Sequence, residues 1–337
     1  MPALLSPGTA GLSCPPAESS AHAWMPHSPC GPECVRTAPE ANTLLMAARI
    51  LGFGAVLASF PLAHVLTPRR RRAALQSGYA RTLLHCCGIR VRVIDNRTSG
   101  DSADTVRAGE SDTESGTTDA ARGVLVVAPH IGWTDVMALS AVEPTSFVAR
   151  ADLIDWPVLG AVARKVRVIP IERERLRALP GVIAEIATRL RAGERVGIFP
   201  EGTTWCGRAH GHLRPALFQA AVDTGTPVQP IQLRYLDAHG EVSTVPAFVG
   251  IDTMADSIRR VLRSRGVVAE ITLRPVLAPG TDRHDLARRC ERAIADAGID
   301  RTFADLVHLA EHERVAAQVA ALEERLLQPS ATLSDRG

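Results

Sequence analysis

A histidine and an aspartate stand five positions apart, directly after an apolar run. His130 and Asp135 follow the segment 123–128, Gly-Val-Leu-Val-Val-Ala, which is typical of a buried strand. In open α/β sheets, functional groups collect beyond the carboxyl ends of the strands, which is where His130 falls. A carboxylate in the first turn of a following helix can fix the tautomer of the imidazole and stabilise the imidazolium. The pair therefore predicts a general base with no side-chain nucleophile attached.

Two further groups of polar residues follow strand-like runs. Glu201, Gly202 and Thr203 come after the run 196–199 and combine close backbone approach with hydrogen-bonding groups, although Pro-Glu-Gly-Thr is also ordinary turn chemistry. Arg150 and Arg173 each close a strand-like run, which would aim both guanidiniums at the edge that carries the histidine. Two arginines at one edge suit a phosphate group, whereas either one alone would be a solvated surface charge.

The order and spacing of these groups resemble the successive motifs of the glycerolipid acyltransferases, the bacterial 1-acylglycerol-3-phosphate acyltransferases in particular, over about residues 75–275. The motifs are His130-x4-Asp135, the block from Arg150 to Arg173, Phe199-Pro200-Glu201-Gly202-Thr203 and Val228-Gln229-Pro230. The resemblance implies that His130 deprotonates the acceptor hydroxyl while Asp135 orients the ring. It also implies a set of substrate-binding residues: Arg150, Arg173 (on the acceptor phosphate), Glu201, Gly202, Thr203 and Pro230 (on the acyl-donor side).

The reaction implied by this resemblance moves a fatty acyl group from acyl-CoA or acyl carrier protein to 1-acylglycerol-3-phosphate, a lyso-glycerophospholipid, and gives phosphatidic acid. It needs no metal and no cofactor beyond this co-substrate, because a thioester carbonyl is already activated. Backbone N–H groups near a helix that starts at Thr134 are expected to stabilise the oxyanion. Arg150 keeps the charge of the lysine often found there. Thr204 and Trp205 replace a common Arg-Ser, so another lyso-lipid or a glycolipid acceptor stays open.

Strands and helices alternate along the chain. This pattern predicts an α/β fold with a mostly parallel or mixed central sheet and helices on both faces. The strand-like runs are 91–94, 123–128, 146–149, 166–171, 196–199, 228–235, 245–250 and 269–275, and the main helical runs are 134–141, 159–165, 176–192, 215–223 and 254–264. The predicted division is a disordered extension (1–41), membrane-associated helices (42–90), an acyltransferase domain (91–280) with a flexible insertion (97–121), and C-terminal helices and tail (281–337), with helices near 282–297 and 302–327.

An apolar stretch with a basic run behind it predicts contact with a membrane. Residues 50–66 are apolar and precede four arginines, 69–72. Seventeen residues is the lower limit for crossing a core of ~30 Å, and Pro61, His64 and Arg49 weaken a spanning interpretation. Arginines beside an apolar run suit a headgroup layer, so the segment either spans or lies in the interface. We expect a cell-membrane location with the catalytic domain on the cytoplasmic side. A buried core helix is the alternative.

Composition excludes several other functions. The net charge is +2, which gives no general field for binding nucleic acid. Lys165 is the only lysine and does not stand in a phosphate-loop motif, so that nucleotide site is absent. No Gly-x-Ser-x-Gly occurs, which argues against a serine hydrolase.

Two alternatives remain beside the acyltransferase hypothesis. Cys206, His210 and His212 could bind a metal, but a glycine-rich loop with solvated histidines explains them more simply. Cys30 and Cys34 flank Gly-Pro-Glu without a second pair at zinc spacing, so they are read as reduced thiols in a disordered tail. A non-catalytic membrane-surface module would need only the apolar segment and the arginines, and it leaves the histidine and glutamate motifs unexplained.

Overall fold

A computed structural model describes residues 28, 30–36, 38–97, 123–172 and 175–295, with the backbone alone at 157–159. Three of the sequence predictions lie wholly or largely outside these residues. They are the phosphate-binding role of Arg173, the flexible insertion from residue 98 onwards, and the second C-terminal helix at 302–327.

A seven-stranded mixed sheet forms the centre of the molecule. Its strands are β1 (Ile89–Asp95), β2 (Val124–Val127), β3 (Ser146–Arg150), β4 (Ile169–Ile171), β5 (Arg195–Ile198), β6 (Val228–Leu236) and β7 (Val267–Leu273). The order across the sheet is β1-β7-β6-β2-β5-β3-β4. The β6–β7 pair is antiparallel and every other neighbouring pair is parallel. The predicted mixed sheet is confirmed.

Helices cover both faces of this sheet, as the alternating pattern predicted. They are α1 (Thr43–Leu66), α2 (Arg72–Cys86), α3 (Thr134–Val142), α4 (Pro157–Lys165), α5 (Leu179–Arg191), α6 (Gln219–Thr224), α7 (Met254–Arg263) and α8 (Arg283–Ala295). Strand β2 illustrates the two-sided core, because Val126 lies in a cluster with α2 and α3 while its neighbours Leu125 and Val127 lie in a cluster with α5, α6 and α8. Both faces of the strand are buried, which is why its sequence is continuously apolar.

The parallel strands bring their carboxyl ends to one edge. Strands β6, β2, β5, β3 and β4 all run in the same direction. His130 therefore leaves β2 at the same edge at which Glu201 leaves β5 and Arg150 ends β3. Because adjacent strands lie about 4.8 Å apart, the β5 loop is the nearer neighbour of the histidine, and β3 is one strand further away.

The predicted strand at 245–250 is wrong, since this segment is a loop. Val245, Ala247 and Val249 are buried, which explains the apolar pattern. Their backbone groups, however, bond to loops and side chains. Phe248 N–H donates to the carbonyl of Ile131 at 2.9 Å, and Arg260 donates to the carbonyl of Val245 at 3.0 Å. The segment is therefore a buried loop that packs against the loop carrying His130.

The extension predicted to be disordered over 1–41 is ordered where the structure describes it. A short 3₁₀ turn spans Pro32–Cys34, and both Cys30 and Cys34 are buried. Further along, Arg36 N–H donates to Thr244 Oγ1 at 2.7 Å, and Ala41 N–H donates to the carbonyl of Arg263 at 2.6 Å. Sequence composition missed this segment because its order comes from docking on distant parts of the chain.

Helix α1 is longer than the apolar stretch that predicted it. It begins at Thr43, where the side chain of Asn42 accepts from Leu45 N–H at 2.9 Å, and runs for 24 residues. Arg49 does not interrupt the helix, because its guanidinium donates to the carbonyls of Leu262 (2.8 Å) and Ser264 (2.6 Å). At 1.5 Å per residue the helix is about 36 Å long. By length and composition it could cross a membrane, the one such helix among the residues that the structure describes.

One side of α1 packs on the rest of the protein, and the side chains on its other side are exposed. The ring of Phe60 packs edge-on against Tyr79 of α2 at 5.1 Å, and Phe53 packs edge-on against Trp133 at 6.0 Å. Several large apolar side chains of the same helix are exposed: Leu44, Ile50, Leu51, Leu62, Val65 and Leu66. The helix therefore offers a long apolar surface while it packs on the rest of the protein through Arg49, Phe53 and Phe60.

Candidate active site

The predicted histidine–aspartate pair forms in the structure. Asp135 lies in the first turn of α3, and its Oδ2 is 2.9 Å from His130 Nδ1. The aspartate side chain is fully buried, while the imidazole is 16% exposed. Because Nδ1 faces the carboxylate, Nε2 is the ring nitrogen left to exchange a proton with a ligand. The pair thus has the geometry of a general base with a fixed tautomer.

Asp135 is held by more donors than the histidine alone. Its Oδ2 accepts from the N–H groups of Ile131 (2.6 Å) and Gly132 (2.9 Å), and its Oδ1 accepts from the hydroxyl of Tyr235 (2.9 Å). The Tyr235 hydroxyl also pairs with Thr134 Oγ1 at 2.7 Å. A buried carboxylate is costly unless it is hydrogen-bonded, and this network supplies those bonds. Burial, then the charge of Asp135, raises the pKa of Tyr235, which keeps the phenol a donor.

Aromatic stacking fixes the plane of the imidazole. The ring of His130 stacks on Phe199 at 4.2 Å, with 15° between the planes. Phe199 in turn stacks on Phe147 of β3 at 5.5 Å and 8°. The three rings form a column across β2, β5 and β3, and this column leaves the histidine little freedom to rotate.

Glu201 supports the histidine through the backbone. Its Oε2 accepts from His130 N–H at 2.6 Å, and its Oε1 accepts from Gly211 N–H at 2.9 Å. The side chain is buried, and burial raises its pKa to about 8 even though these two bonds act in the opposite direction. Glu201 therefore joins the loops after β2 and β5, a positioning task that the turn motif alone did not reveal.

Two loops clamp the backbone around the histidine. The carbonyl of His130 accepts from Trp205 N–H at 2.8 Å, and the next carbonyl along the chain accepts from Phe248 N–H. A Cβ at Gly132 would stand 2.1 Å from the carbonyl oxygen of Pro246, so only glycine fits there. The hydroxyl of Thr204 also donates to the carbonyl of Phe248, which joins the two clamps.

A cavity of about 80 Å³ opens beside the ring of His130. Its lining includes the carboxyl end of β6, the loop 205–211 and α8, with Arg208, His210, Gln232 and Arg234 among its polar residues. Arg234 is paired with Glu270 at 2.5 Å. Through this cavity a ligand can reach His130, and both apolar and cationic side chains line the way.

The remaining predicted substrate residues lie at different depths. Arg150 ends β3 at the expected edge, 62% exposed and paired with Asp152 at 2.9 Å. Gly202 and Thr203 are half-buried in the turn after β5, where Gly202 has a φ of 78° that favours glycine. Pro230 is buried within β6 and pairs in register with Val127. The substrate contacts predicted for these residues, and for Arg173, remain predictions.

The amides at the start of α3 are largely engaged within the protein. Those of Ile131 and Gly132 bind the Asp135 carboxylate, and that of Asp135 donates to the carbonyl of Gly132 at 3.1 Å. These three amides therefore support the turn that holds His130 and Asp135 together. An oxyanion formed beside His130 would have to be stabilised by other donors than these.

The alternative metal group of Cys206, His210 and His212 is not assembled in the described part of the chain. The imidazole of His212 is 95% exposed and pairs with Glu291 at 2.8 Å. His210 lines the cavity beside His130. Cys206 is buried against Cys30 and Cys34 instead.

The raised pKa of Glu201 predicts that the stability of the folded protein depends on pH. Its pKa in the folded protein, about 8, exceeds the ordinary 4.5, so its contribution is complete below pH 4.5 and is lost as the pH rises through 8. We expect the free energy of unfolding of the wild type, relative to Glu201→Gln, to fall by up to about 1.4 kcal/mol per pH unit in this window. Denaturant unfolding of both proteins from pH 5 to 8 measures the difference.

Glu270→Gln is the control for this series. Although burial acts to raise its pKa, bonds from Arg234 and Arg92 lower the pKa of Glu270 overall. Its contribution therefore changes only below the ordinary glutamate range, and the corresponding difference is expected to be flat from pH 5 to 8. A wild-type advantage over Glu201→Gln that stays constant or grows with pH would contradict the predicted effect.

Comparison with known proteins identifies the family. A family model described as "Acyltransferase" matches residues 108–234. A 1-acyl-sn-glycerol-3-phosphate acyltransferase of Neisseria gonorrhoeae is 32% identical over 176 residues, which cover 51% of this chain and 68% of that protein. A lyso-ornithine lipid O-acyltransferase of Pseudomonas aeruginosa is 33% identical over 176 residues, with 51% and 66% covered.

A solved structure shares the fold. It is the 1-acyl-sn-glycerophosphate acyltransferase PlsC of Thermotoga maritima, with a TM-score of 0.53 and 16% identity, covering 76% of this chain and 94% of that one. The sequence matches contain the His130–Asp135 pair and the Glu201 loop within the family model's range. The chain therefore belongs to the acyltransferase family, as an enzyme of the 1-acyl-sn-glycerol-3-phosphate acyltransferase type.

Proposed function

We propose that this enzyme transfers a fatty acyl group from the thioester of coenzyme A or acyl carrier protein to the free hydroxyl of 1-acylglycerol-3-phosphate, and so forms phosphatidic acid. The observation that carries the proposal is the 2.9 Å bond between His130 Nδ1 and a fully buried Asp135, with the ring bordering a cavity. Such a base can remove a proton from an alcohol without a covalent enzyme intermediate.

The proposed reaction uses this geometry. Nε2 of His130 takes the proton of the acceptor hydroxyl as its oxygen attacks the thioester carbonyl. The Asp135 charge stabilises the imidazolium that results. The tetrahedral intermediate collapses with cleavage of the C–S bond, and the proton passes from His130 to the departing thiolate. The products are the ester and the thiol, and the histidine returns to its neutral form.

Cationic side chains near the base support a phosphate-bearing acceptor. Arg208 lines the cavity beside His130, and Arg150 stands at the same sheet edge. Guanidinium groups bind phosphate through parallel N–H donors. Arg173, two residues beyond β4, is the third cation that we assign to the acceptor phosphate, on the strength of its place in the sequence motif.

A lyso-ornithine lipid is the second candidate acceptor. The Pseudomonas aeruginosa relative named for that acceptor matches this chain as well as the Neisseria gonorrhoeae relative does, at 33% against 32% identity. Both acceptors present a hydroxyl to the same base. The choice between them therefore depends on the residues around the headgroup and not on the histidine pair.

We further propose that α1 lies in one leaflet of the cell membrane, with the catalytic domain on the cytoplasmic side. One side of the helix packs on the domain through Phe53, Phe60 and Arg49, whereas four of its leucines are exposed: Leu44, Leu51, Leu62 and Leu66. Because the domain contacts the helix near both ends, the helix axis runs along the domain surface. The arginines at 69–71 are exposed just beyond its C-terminal end, where they would meet anionic headgroups.

We expect His130→Ala to lower kcat for acyl transfer by about 10²–10⁴-fold, the usual contribution of a general base. The assay uses membranes that contain the variant, an acyl thioester and labelled acceptors: 1-acylglycerol-3-phosphate, lyso-ornithine lipid and lysophosphatidylcholine. His239→Ala is the matched control, because its side chain is exposed on the β6–β7 connection. The wild type is expected to prefer 1-acylglycerol-3-phosphate.

Two results would contradict these proposals separately. Activity of His130→Ala within about threefold of wild type would remove the histidine from the mechanism, because it is far below the range for a general base. A preference for lyso-ornithine lipid, with the histidine still essential, would leave the mechanism intact and replace the acceptor.

The arginine cluster should determine binding to anionic membranes. We expect serine at positions 69, 70 and 71 to weaken co-flotation with phosphatidylglycerol-containing vesicles at least about tenfold, since each arginine contributes about 1 kcal/mol near such a surface. The charge-matched control replaces Arg191, Arg288 and Arg292, which are exposed on helices of the opposite sheet face. Equal losses in the two triple variants would show that net charge, and not this cluster, directs binding.

A further inference from the structure

Three cysteines from distant parts of the chain meet in the core. Cys30 precedes the 3₁₀ turn Pro32–Cys34, Cys34 is the last residue of that turn, and Cys206 lies in the loop after the Glu201 turn. Their sulfur atoms all lie within 4.8 Å of one another. All three side chains are buried, with Cys30 3% and the other two 0% exposed. Among the residues described, no other group of histidine, cysteine or carboxylate side chains approaches in this way.

The spacing of the sulfurs fits a thiolate metal site. A Zn–S bond of about 2.3 Å places the sulfurs of a tetrahedral centre about 3.8 Å apart. The three sulfurs therefore need to move inward by at most about 1 Å to share one ion. The amide of Cys206 also donates to Cys30 Sγ at 3.4 Å, and a bond of this kind stabilises a bound thiolate.

The surroundings favour a structural site over a catalytic one. None of the three cysteines lines the cavity beside His130. The cluster instead joins two segments, the docked N-terminal stretch and the loop whose Trp205 N–H binds the carbonyl of His130. A structural zinc centre commonly stabilises short segments that lack a core of their own. Within the stretch from Cys30 to Arg36, Cys30 and Cys34 belong to the hydrophobic core and Val35 packs against it.

We propose that Cys30, Cys34 and Cys206 bind one Zn²⁺ ion as thiolates, and that this ion attaches the N-terminal segment to the loop beside the active site. The three thiolates supply three of the four ligands of a tetrahedral centre, and among the described residues no further histidine, cysteine or carboxylate joins the group. Binding releases the thiol protons, since zinc coordinates the deprotonated form. The proposed site departs from the sequence expectation of no metal, because the Cys-x3-Cys pair gains its third ligand, Cys206, from a remote part of the sequence.

Metal content of the full-length protein tests the site directly. We expect about one zinc per chain by elemental analysis after purification under reducing conditions, and a loss of about tenfold or more in each of Cys30→Ser, Cys34→Ser and Cys206→Ser, because three thiolates are needed for tight binding. Cys290→Ala is the matched control, a buried cysteine in the other core that should keep its zinc. The zinc content of the wild type alone shows whether the ion is present, so this result does not depend on whether the serine variants fold.

Cobalt substitution gives a second readout that does not depend on the folding of the variants. Wild-type protein loaded with Co²⁺ should show the near-ultraviolet absorption of a thiolate–cobalt centre, and p-hydroxymercuribenzoate, which modifies thiols, should abolish it while releasing the metal. Three outcomes overturn the proposal. They are a wild type with less than about a tenth of a zinc per chain and no cobalt band, zinc content unchanged in the three serine variants, or a disulfide between two of these cysteines in protein alkylated before lysis.

Discussion

The active site depends on one buried charge, the carboxylate of Asp135. It is fully buried, and the amides of Ile131 and Gly132, the Tyr235 hydroxyl and the His130 ring all bond to its two oxygens. A charge in such a place is tolerated only when its acceptor sites are filled, so the same bonds that stabilise it also fix the turn before α3. The hydrogen bonds that stabilise the buried Asp135 carboxylate therefore also hold His130 in its position.

The rest of the fold supplies these partners from separate strands. Tyr235 comes from the far end of β6, and Glu201 comes from the loop after β5. The stacked ring of Phe199 comes from that same loop and packs on Phe147 of β3. The parallel arrangement of β6, β2, β5 and β3 brings these groups to one edge. A change in strand order would separate His130 from the groups that hold it even if every helix remained.

The sequence was sufficient to predict the contact between His130 and Asp135 but not the groups that hold this pair. His130 and Asp135 are five residues apart, so their contact follows from a strand, a turn and a helix, all of which local patterns predict. Tyr235 is 100 residues away, and nothing in its own strand distinguishes it from an ordinary buried tyrosine. The loop at 245–250 looked like a strand because its sequence is a nearly continuous apolar run, whereas its backbone bonds to another loop and to a side chain. Cys30 and Cys34 looked like part of a disordered tail because their partner, Cys206, is remote in sequence.

Replacement of Asp135 by asparagine tests the central interaction most directly. The NH₂ group of the asparagine can occupy the position of Oδ1 and donate to the Tyr235 hydroxyl, which can then donate to Thr134. The packing is therefore preserved while the charge is removed. We expect kcat for acyl transfer to fall by about 10²-fold or more with KM changed little, because the imidazolium loses its counter-charge. If Asp135→Asn retains kcat within about threefold of wild type and is as well folded, the buried carboxylate does not activate the histidine.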